Sequence, residues 1–366
     1  MRILLLGEYS NVHATLAEGL RCLGHEVTVV SNGDFWKNYP RDIDMARPAG
    51  RLGGLRLLTR FWRVMPRLRG YDVVQLINPI FLDLKAERLF SIYSYLRRHN
   101  GKVFLGAFGM DYFWVHENIT RKPLRYSDFN IGNTLRTHAD AMREQTDWLG
   151  TTKEKLNRWI ADDCDGIIAG LYEYWVCYHP CYPSKTTFIP FPIHPPKDIK
   201  PAHAPFKLPI KIFVGISKNR SAYKGTDIML EAAKKLKDKY NDLVDLNIAE
   251  GLPFEQYCQL MQDADLILDQ LYSYTPAMNA LEAMRRGVIC VGGGEPENYD
   301  ILHETEIRPI INVKPSFNSV FHELEKLVLH PEHISLLKYQ SQEYICRHHN
   351  YIKVARQYLD FYQSNG

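Results

Sequence analysis

Residues 2–6 open the chain with Arg2 and then an unbroken apolar run, Ile3 to Leu6, which Gly7 closes. Leu16, Leu20 and Leu23 then recur at helical spacing as far as Gly24, and a second apolar run follows from Val27 to Val30. Runs apolar at every position suit strands buried on both faces, while a spacing of three to four marks one side of a helix, so the segment predicts a strand–helix–strand unit. Further runs at Val73 to Ile77, Val103 to Leu105, Gly166 to Ala169 and Thr187 to Ile189 alternate with helical patterns. Such alternation predicts a parallel sheet with helices on both faces.

The series then restarts. Strands are predicted at Ile210 to Val214, Leu243 to Ile248 and Leu266 to Leu268, and helices at Ile228 to Tyr240, Phe254 to Gln262 and Asn279 to Met284. Between the two series, residues 189–196 and 201–205 are rich in proline, which favours extended chain. The expected organisation is a first domain at 1–190, a linker at 191–208, a second domain at 209–340 and a closing segment at 341–366. That last segment carries an apolar stripe of Ile352, Ala355, Leu359 and Tyr362, which needs a groove to bury it.

Composition sharpens this picture at four points. A length of 366 residues with 45% hydrophobic and 24% charged residues exceeds what one core usually spans. No apolar run reaches the roughly 20 residues of a membrane helix, and Glu8 follows the first run too soon for a signal peptide, so a cytoplasmic protein is expected. Seven scattered cysteines favour reduced thiols over a disulfide framework, and Cys177, His179 and Cys181 have poor spacing for a metal. A net charge of +3 and the lack of any recognition motif give no reason to expect a nucleic-acid partner.

In open parallel sheets, ligands bind beyond the carboxyl ends of the strands. There the second series places Gly215 to Asp227, with Lys218, Arg220 and Lys224, a group that is either a solvated turn or an anion site at a helix start. A second loop, Gly292-Gly293-Gly294-Glu295, follows another strand and can offer backbone N–H groups to an anion. Between them Glu282 is flanked by Ala280, Leu281, Ala283 and Met284. It either pairs with Arg285 or Arg286 along its helix or meets a ligand. No dinucleotide glycine pattern and no Walker lysine is present. The Asp162-Asp163-Cys164-Asp165 cluster precedes a strand and reads as a turn rather than a metal site.

From Phe213 to Glu297 the chain resembles the GT-B-fold glycosyltransferases of the large retaining family four. The resemblance rests on the Val214-Gly215…Lys224-Gly225 loop, the Ala280-Leu-Glu-Ala-Met284 helix and Gly287, and extends to the opening residues 1–31 with Gly24-His-Glu-Val-Thr-Val. It implies two Rossmann-like domains with doubly wound parallel sheets, an interdomain cleft and a closing helix that crosses back to the first domain. It implies Arg220 and Lys224 on the diphosphate and Glu282 on the ribose, and together with the loops read above the expected donor-binding residues are Lys218, Arg220, Lys224, Tyr274, Glu282, Gly293, Gly294 and Glu295. Asp111, in Gly109-Met-Asp111, and then His13 become the expected catalytic residues, a helix cap and a core contact being their ordinary alternatives. No cofactor and no metal are expected. The chain departs from the family at Tyr274, where its first motif Glu belongs, and at Ile216, where an Arg is usual.

The resemblance implies a transferase that moves a sugar from a nucleotide-diphosphate donor to a glycan or lipid-linked acceptor, with retention, in surface polysaccharide synthesis. The alternatives are a nucleotide-sugar epimerase or hydrolase of the same fold, and a non-catalytic nucleotide-binding subunit. Seven arginines and no acid lie between Arg47 and Tyr71, and Arg56, Arg60, Arg63 and Arg67 share one helical face beside Leu57, Leu58, Phe61, Trp62, Met65 and Leu68. Such a helix either packs on the core with a solvated Arg face or lies on an anionic membrane surface, which would make the protein peripheral at the inner membrane face.

Overall fold

The computed structural model describes residues 1–216, 221–251 and 254–364. Its strands are, in chain order, β1 (Arg2–Leu6), β2 (Glu26–Ser31), β3 (Ile43–Asp44), β4 (Val73–Leu76), β5 (Lys102–Ala107), β6 (Asn130–Ile131), β7 (Thr134–Leu135), β8 (Gly166–Ala169), β9 (Thr186–Phe188), β10 (Ile210–Ile216), β11 (Val244–Glu250), β12 (Leu266–Leu268), β13 (Ile289–Gly292) and β14 (Ile311–Asn312). The chain divides into a first unit (Met1–Pro123, Arg143–Pro192 and the chain from Tyr351) and a second (Leu124–Met142 and Ile193–Asn350).

The first unit is built on a parallel sheet in the order β3-β2-β1-β4-β5-β8-β9. Central β1 pairs Leu4 with Thr28 on one side and with Val74 on the other, and Ile3, Leu4, Leu5 and Leu6 are all fully buried. Burial on both faces is why the run carries no polar alternation. Helix Val12–Cys22 turns Leu16, Ala17 and Leu20 into this core. Closing helix Tyr351–Ser364 packs against it at Gly19, where a Cβ would stand 2.5 Å from the Tyr351 carbonyl oxygen. Further along, Tyr362 is buried against Phe104, with ring centroids 4.7 Å apart, and its hydroxyl donates to Gln75.

The second unit has a parallel sheet in the order β11-β10-β12-β13-β14. Ile210, Ile212, Val214, Leu266, Leu268, Ile289 and Val291 form its core with Met229, Ala232, Ala233 and Leu236 of helix Thr226–Lys239 and Val320, Leu324 and Leu327 of helix Phe317–Leu329. Three boundaries differ from expectation. Residues 124–142, expected within 1–190, belong to the second unit and carry the antiparallel β6–β7 hairpin. Within the expected linker, Ile193 donates to the His349 carbonyl at 2.7 Å and Lys200 N to Gln342 at 2.7 Å, so the proline-rich chain is fastened to this unit. Residues 341–350 stay there too, and the return to the first unit starts at Tyr351.

Candidate functional site

Of the expected donor residues that the structure describes, Lys224, Tyr274 and Gly293 to Glu295 lie on the chain that follows β10, β12 and β13, and Glu282 lies on the helix between β12 and β13. Gly225 takes a left-handed φ of 72°, and a Cβ on it would meet Leu271 at 2.6 Å, so the Lys224-Gly225 turn lies flush on the chain after β12. Leu271 N donates to the Lys224 carbonyl at 2.8 Å and locks that contact. Just before it, Asp269 is buried; desolvation raises its pKa, opposed by the charge of Lys224 and by Asn279, whose Nδ2 donates at 3.2 Å. Tyr257 donates its hydroxyl to Asn279 Oδ1 at 3.1 Å, which completes a polar chain from helix Phe254–Gln262 to the β12 end.

Helix Met278–Arg285 buries Ala280, Leu281, Ala283 and Met284 and leaves Glu282 on its open side. The carboxylate accepts from Arg285 Nε at 2.8 Å and Nη2 at 2.5 Å and from Arg286 Nε at 2.9 Å. Burial works to raise its pKa, but the two guanidinium groups outweigh that and hold it below the ordinary range. Intrahelical pairing is thus realised, with Glu282 still about one third exposed.

The glycine loop after β13 is shaped by close packing. A Cβ on Gly293 would lie 2.4 Å from the Ser273 carbonyl oxygen, and one on Gly294 would lie 2.7 Å from Ile310. Gly294 N donates to Asn312 at 3.1 Å and Glu295 N to the Tyr274 carbonyl at 3.1 Å, so these two of the N–H groups expected to face an anion hold the loop down. Tyr274 is 1% exposed; its hydroxyl accepts from Arg125 N at 2.6 Å, and the Arg125 guanidinium lies 4.8 Å from its ring centroid. Buried Glu295 accepts from Arg125 Nη2 at 2.8 Å and from the Tyr126 hydroxyl, while Arg125 also pairs with Glu297. Residues 124–142 are therefore anchored on Tyr274 and Glu295, two positions expected to face the donor. Lys218 and Arg220 lie outside the described residues.

In the first unit, Asp111 is fully buried as the cap of helix Tyr112–Ile119, accepting from Trp114 N at 2.8 Å and from the Tyr178 hydroxyl at 2.7 Å. Burial pushes its carboxyl up to about 7. His13 is equally buried, with Nδ1 2.8 Å from the Gly7 carbonyl, and desolvation pulls its pKa down to about 3, leaving the ring neutral. Both expected catalytic side chains thus occupy the interior, in the cap and core roles open to them. Glu8, which sequence reasoning passed over, accepts from His13 N and Ala14 N and is driven by burial to about 8. A cavity of about 130 Å³ lies beside it, lined by Tyr9, Asn32, Phe35, Phe81 and Asp83 among others.

No protein-family model and no curated protein matches this sequence. Solved structures do match over its whole length. Sucrose-phosphate synthase from Thermosynechococcus elongatus aligns with a TM-score of 0.59 at 14% identity, over 100% of this chain and 98% of its own. Anabaena HepE in complex with UDP and glucose aligns with a TM-score of 0.58 at 14% identity, over all of both chains. A putative UDP-N-acetylglucosamine 2-epimerase from Listeria monocytogenes gives 0.54 at 10% identity, over 98% and 94%. The chain has the GT-B fold.

The second unit holds Lys224 and the polar chain Tyr257-Asn279-Asp269 on the chain leaving the carboxyl ends of β10, β11 and β12, with Glu282 on the helix that follows β12. The Asn279 and Tyr257 contributions were missed because neither is charged. Their signal was a lone Asn in the apolar Ala277 to Met284 helix, where an amide needs a partner. On the first unit, helix Gly53–Val64 buries Leu57 and Phe61 and leaves Leu52, Leu55 and Trp62 each more than half exposed beside exposed Arg56 and Arg63. Among the described residues no helix is long and apolar enough to cross a membrane.

Proposed function

We propose that the chain is a glycosyltransferase that moves a sugar from a nucleotide-diphosphate donor to a glycan or lipid-linked acceptor with retention, in surface polysaccharide synthesis. One observation supports this reading: a GT-B fold, shared over its length with a structure in complex with UDP and glucose, bears Lys224 and the Asp269–Asn279 pair on the chain leaving β10 and β12, with Glu282 on the helix that follows. In the proposed reaction the departing diphosphate collects negative charge. Fixed cations such as Lys224 stabilise that charge without reorganising, and no protein nucleophile is required. The leaving phosphate takes the acceptor proton on the same face, so Asp111 and His13 can stay closed in the interior.

Calorimetry against UDP, GDP and ADP tests the reading. One of them is expected to bind, and mass spectrometry of donor turnover then distinguishes transfer from epimerisation or hydrolysis. Absence of affinity for all three would assign the chain to the non-catalytic class. The membrane part of the proposal rests on helix Gly53–Val64 and its cap Leu52, where exposed Leu52, Leu55 and Trp62 stand beside exposed Arg56 and Arg63, which suit anionic headgroups, while Arg60 pairs with Asp44. Flotation with anionic vesicles is expected to enrich the protein, and enrichment that survives Arg56→Glu, Arg60→Glu and Arg63→Glu together would remove this part.

A further inference from the structure

Residues 124–142 bring two arginines to the second unit, and the two are held in opposite ways. Arg125 is neutralised by Glu295 and Glu297. Arg136, which closes the β6–β7 hairpin through its N–H to the Phe129 carbonyl, bonds instead to backbone carbonyls: Nη1 to Ser127 at 3.0 Å and Tyr223 at 3.4 Å, and Nη2 to Ala222 at 2.5 Å. Its guanidinium lies 3.4 Å from the centroid of the Tyr272 ring. Carbonyl dipoles and a ring face satisfy a guanidinium's N–H groups and flat surface without cancelling its charge.

This cation sits on the short helix Ser221–Lys224, one and two residues before Lys224. The same turn is gripped from its other side by Asp128, which accepts from the Tyr223 hydroxyl at 2.5 Å. Desolvation is the largest influence on Arg136 and pulls its pKa down, with Tyr272, Asp128, Tyr223 and Asp227 offsetting only part of it. A partly buried cation bonded to the turn that carries Lys224, at the ligand edge of a parallel sheet, calls for an anion.

We propose that Arg136, delivered by the 124–142 hairpin, is the positioning residue and second cation of the diphosphate site: its carbonyl bonds fix the turn that presents Lys224, and its charge adds to that of Lys224. The inference rests on the nucleotide-donor reading above. It also accounts for Ile216, since the cation that the family resemblance places on the loop after β10 is supplied here from another part of the chain. The ligand class is a nucleoside diphosphate, recognised by its charge rather than its base.

The test is calorimetry on the full chain with UDP, GDP and ADP across a series of salt concentrations, comparing wild type with Arg136→Lys and Arg136→Gln. Glutamine keeps an amide donor but has no charge, whereas lysine restores the charge. Arg136→Gln is expected to weaken binding about tenfold or more, as for loss of one charge-assisted contact, and to flatten the salt dependence. Arg136→Lys is expected to recover most of both. If Arg136→Gln does not fold, Tyr272→Leu removes the ring under the guanidinium and is expected to weaken binding with the same salt signature; unchanged affinity there overturns the inference. A wild-type protein that binds while Arg136→Gln matches it in affinity and salt slope overturns the Arg136 role and leaves the nucleotide reading standing. A wild type that binds none of the three overturns both.

Discussion

Glu282→Ala is expected to weaken nucleotide-diphosphate binding by an amount the structure limits. A carboxylate offers about four lone-pair positions. Three are taken, two on Oε1 by Arg285 Nη2 and Arg286 Nε and one on Oε2 by Arg285 Nε. One position on Oε2 therefore remains for a ribose hydroxyl, so Glu282 can accept one such bond and not two unless an arginine moves away. A hydrogen bond to a charged group is worth about 1.5–3 kcal/mol, which converts to a loss of about 10- to 150-fold in affinity. Glu282→Gln should fall between, since it keeps an acceptor oxygen but loses the charge that orders the two arginines. The assay is calorimetric titration of UDP, GDP and ADP into wild type and both variants, with thermal melting to confirm folding. Affinity within a factor of two of wild type in a folded Glu282→Ala protein would refute the ribose assignment and leave Glu282 as an intrahelical partner of Arg285 and Arg286. A loss well beyond the upper figure would refute the lone-pair accounting instead, because it would require both hydroxyls to be bound.

Three other perturbations follow from the same geometry. Arg125→Ala strips buried Glu295 of one of its two side-chain partners and removes the cation over Tyr274, which should cost about 2–4 kcal/mol in chemical denaturation, the more exposed Glu297 contact adding little; a change under about 0.5 kcal/mol would show that the 124–142 anchor is held elsewhere. Gly293→Ala places a Cβ against the rigid backbone at Ser273 and Thr275 and should destabilise by about 1–3 kcal/mol, read as a lower melting temperature. Glu8, raised from 4.5 in the unfolded chain to about 8 when folded, keeps its proton in the native state while the unfolded state releases it, so its contribution to stability should fall as pH rises from about 4.5 to 8; Glu8→Gln should flatten that part of the pH–stability profile, and an unaltered profile would contradict the assignment.

The parts of the fold that were readable in the sequence are those whose own residues carry the signal. Strands β1, β4 and β8 are buried on both faces, so Ile3 to Leu6 and Gly166 to Ala169 read as unbroken runs and Val73 to Leu76 is interrupted only by buried Gln75. Two-residue edge strands β3 and β14 pair along one side only and leave no such run. The alternatives at Glu282 could be written down because both arginines stand three and four residues away, within the reach of helical geometry. Residues 124–142 show the limit. Arg125, Asp128 and Arg136 look like solvated loop residues when read locally, because their partners Glu295, Tyr223 and Tyr272 are roughly 95 to 170 residues further along the chain. Tyr274 shows it from the other end, since its contact with Arg125 is one that no local pattern announces. Tyr274 and the polar loop 124–142 are, in this chain, two halves of one arrangement, since Arg125 pairs with Glu295 and Glu297 and lies over the Tyr274 ring, while Asp128, the acid nearest to it along the sequence, accepts from Tyr223.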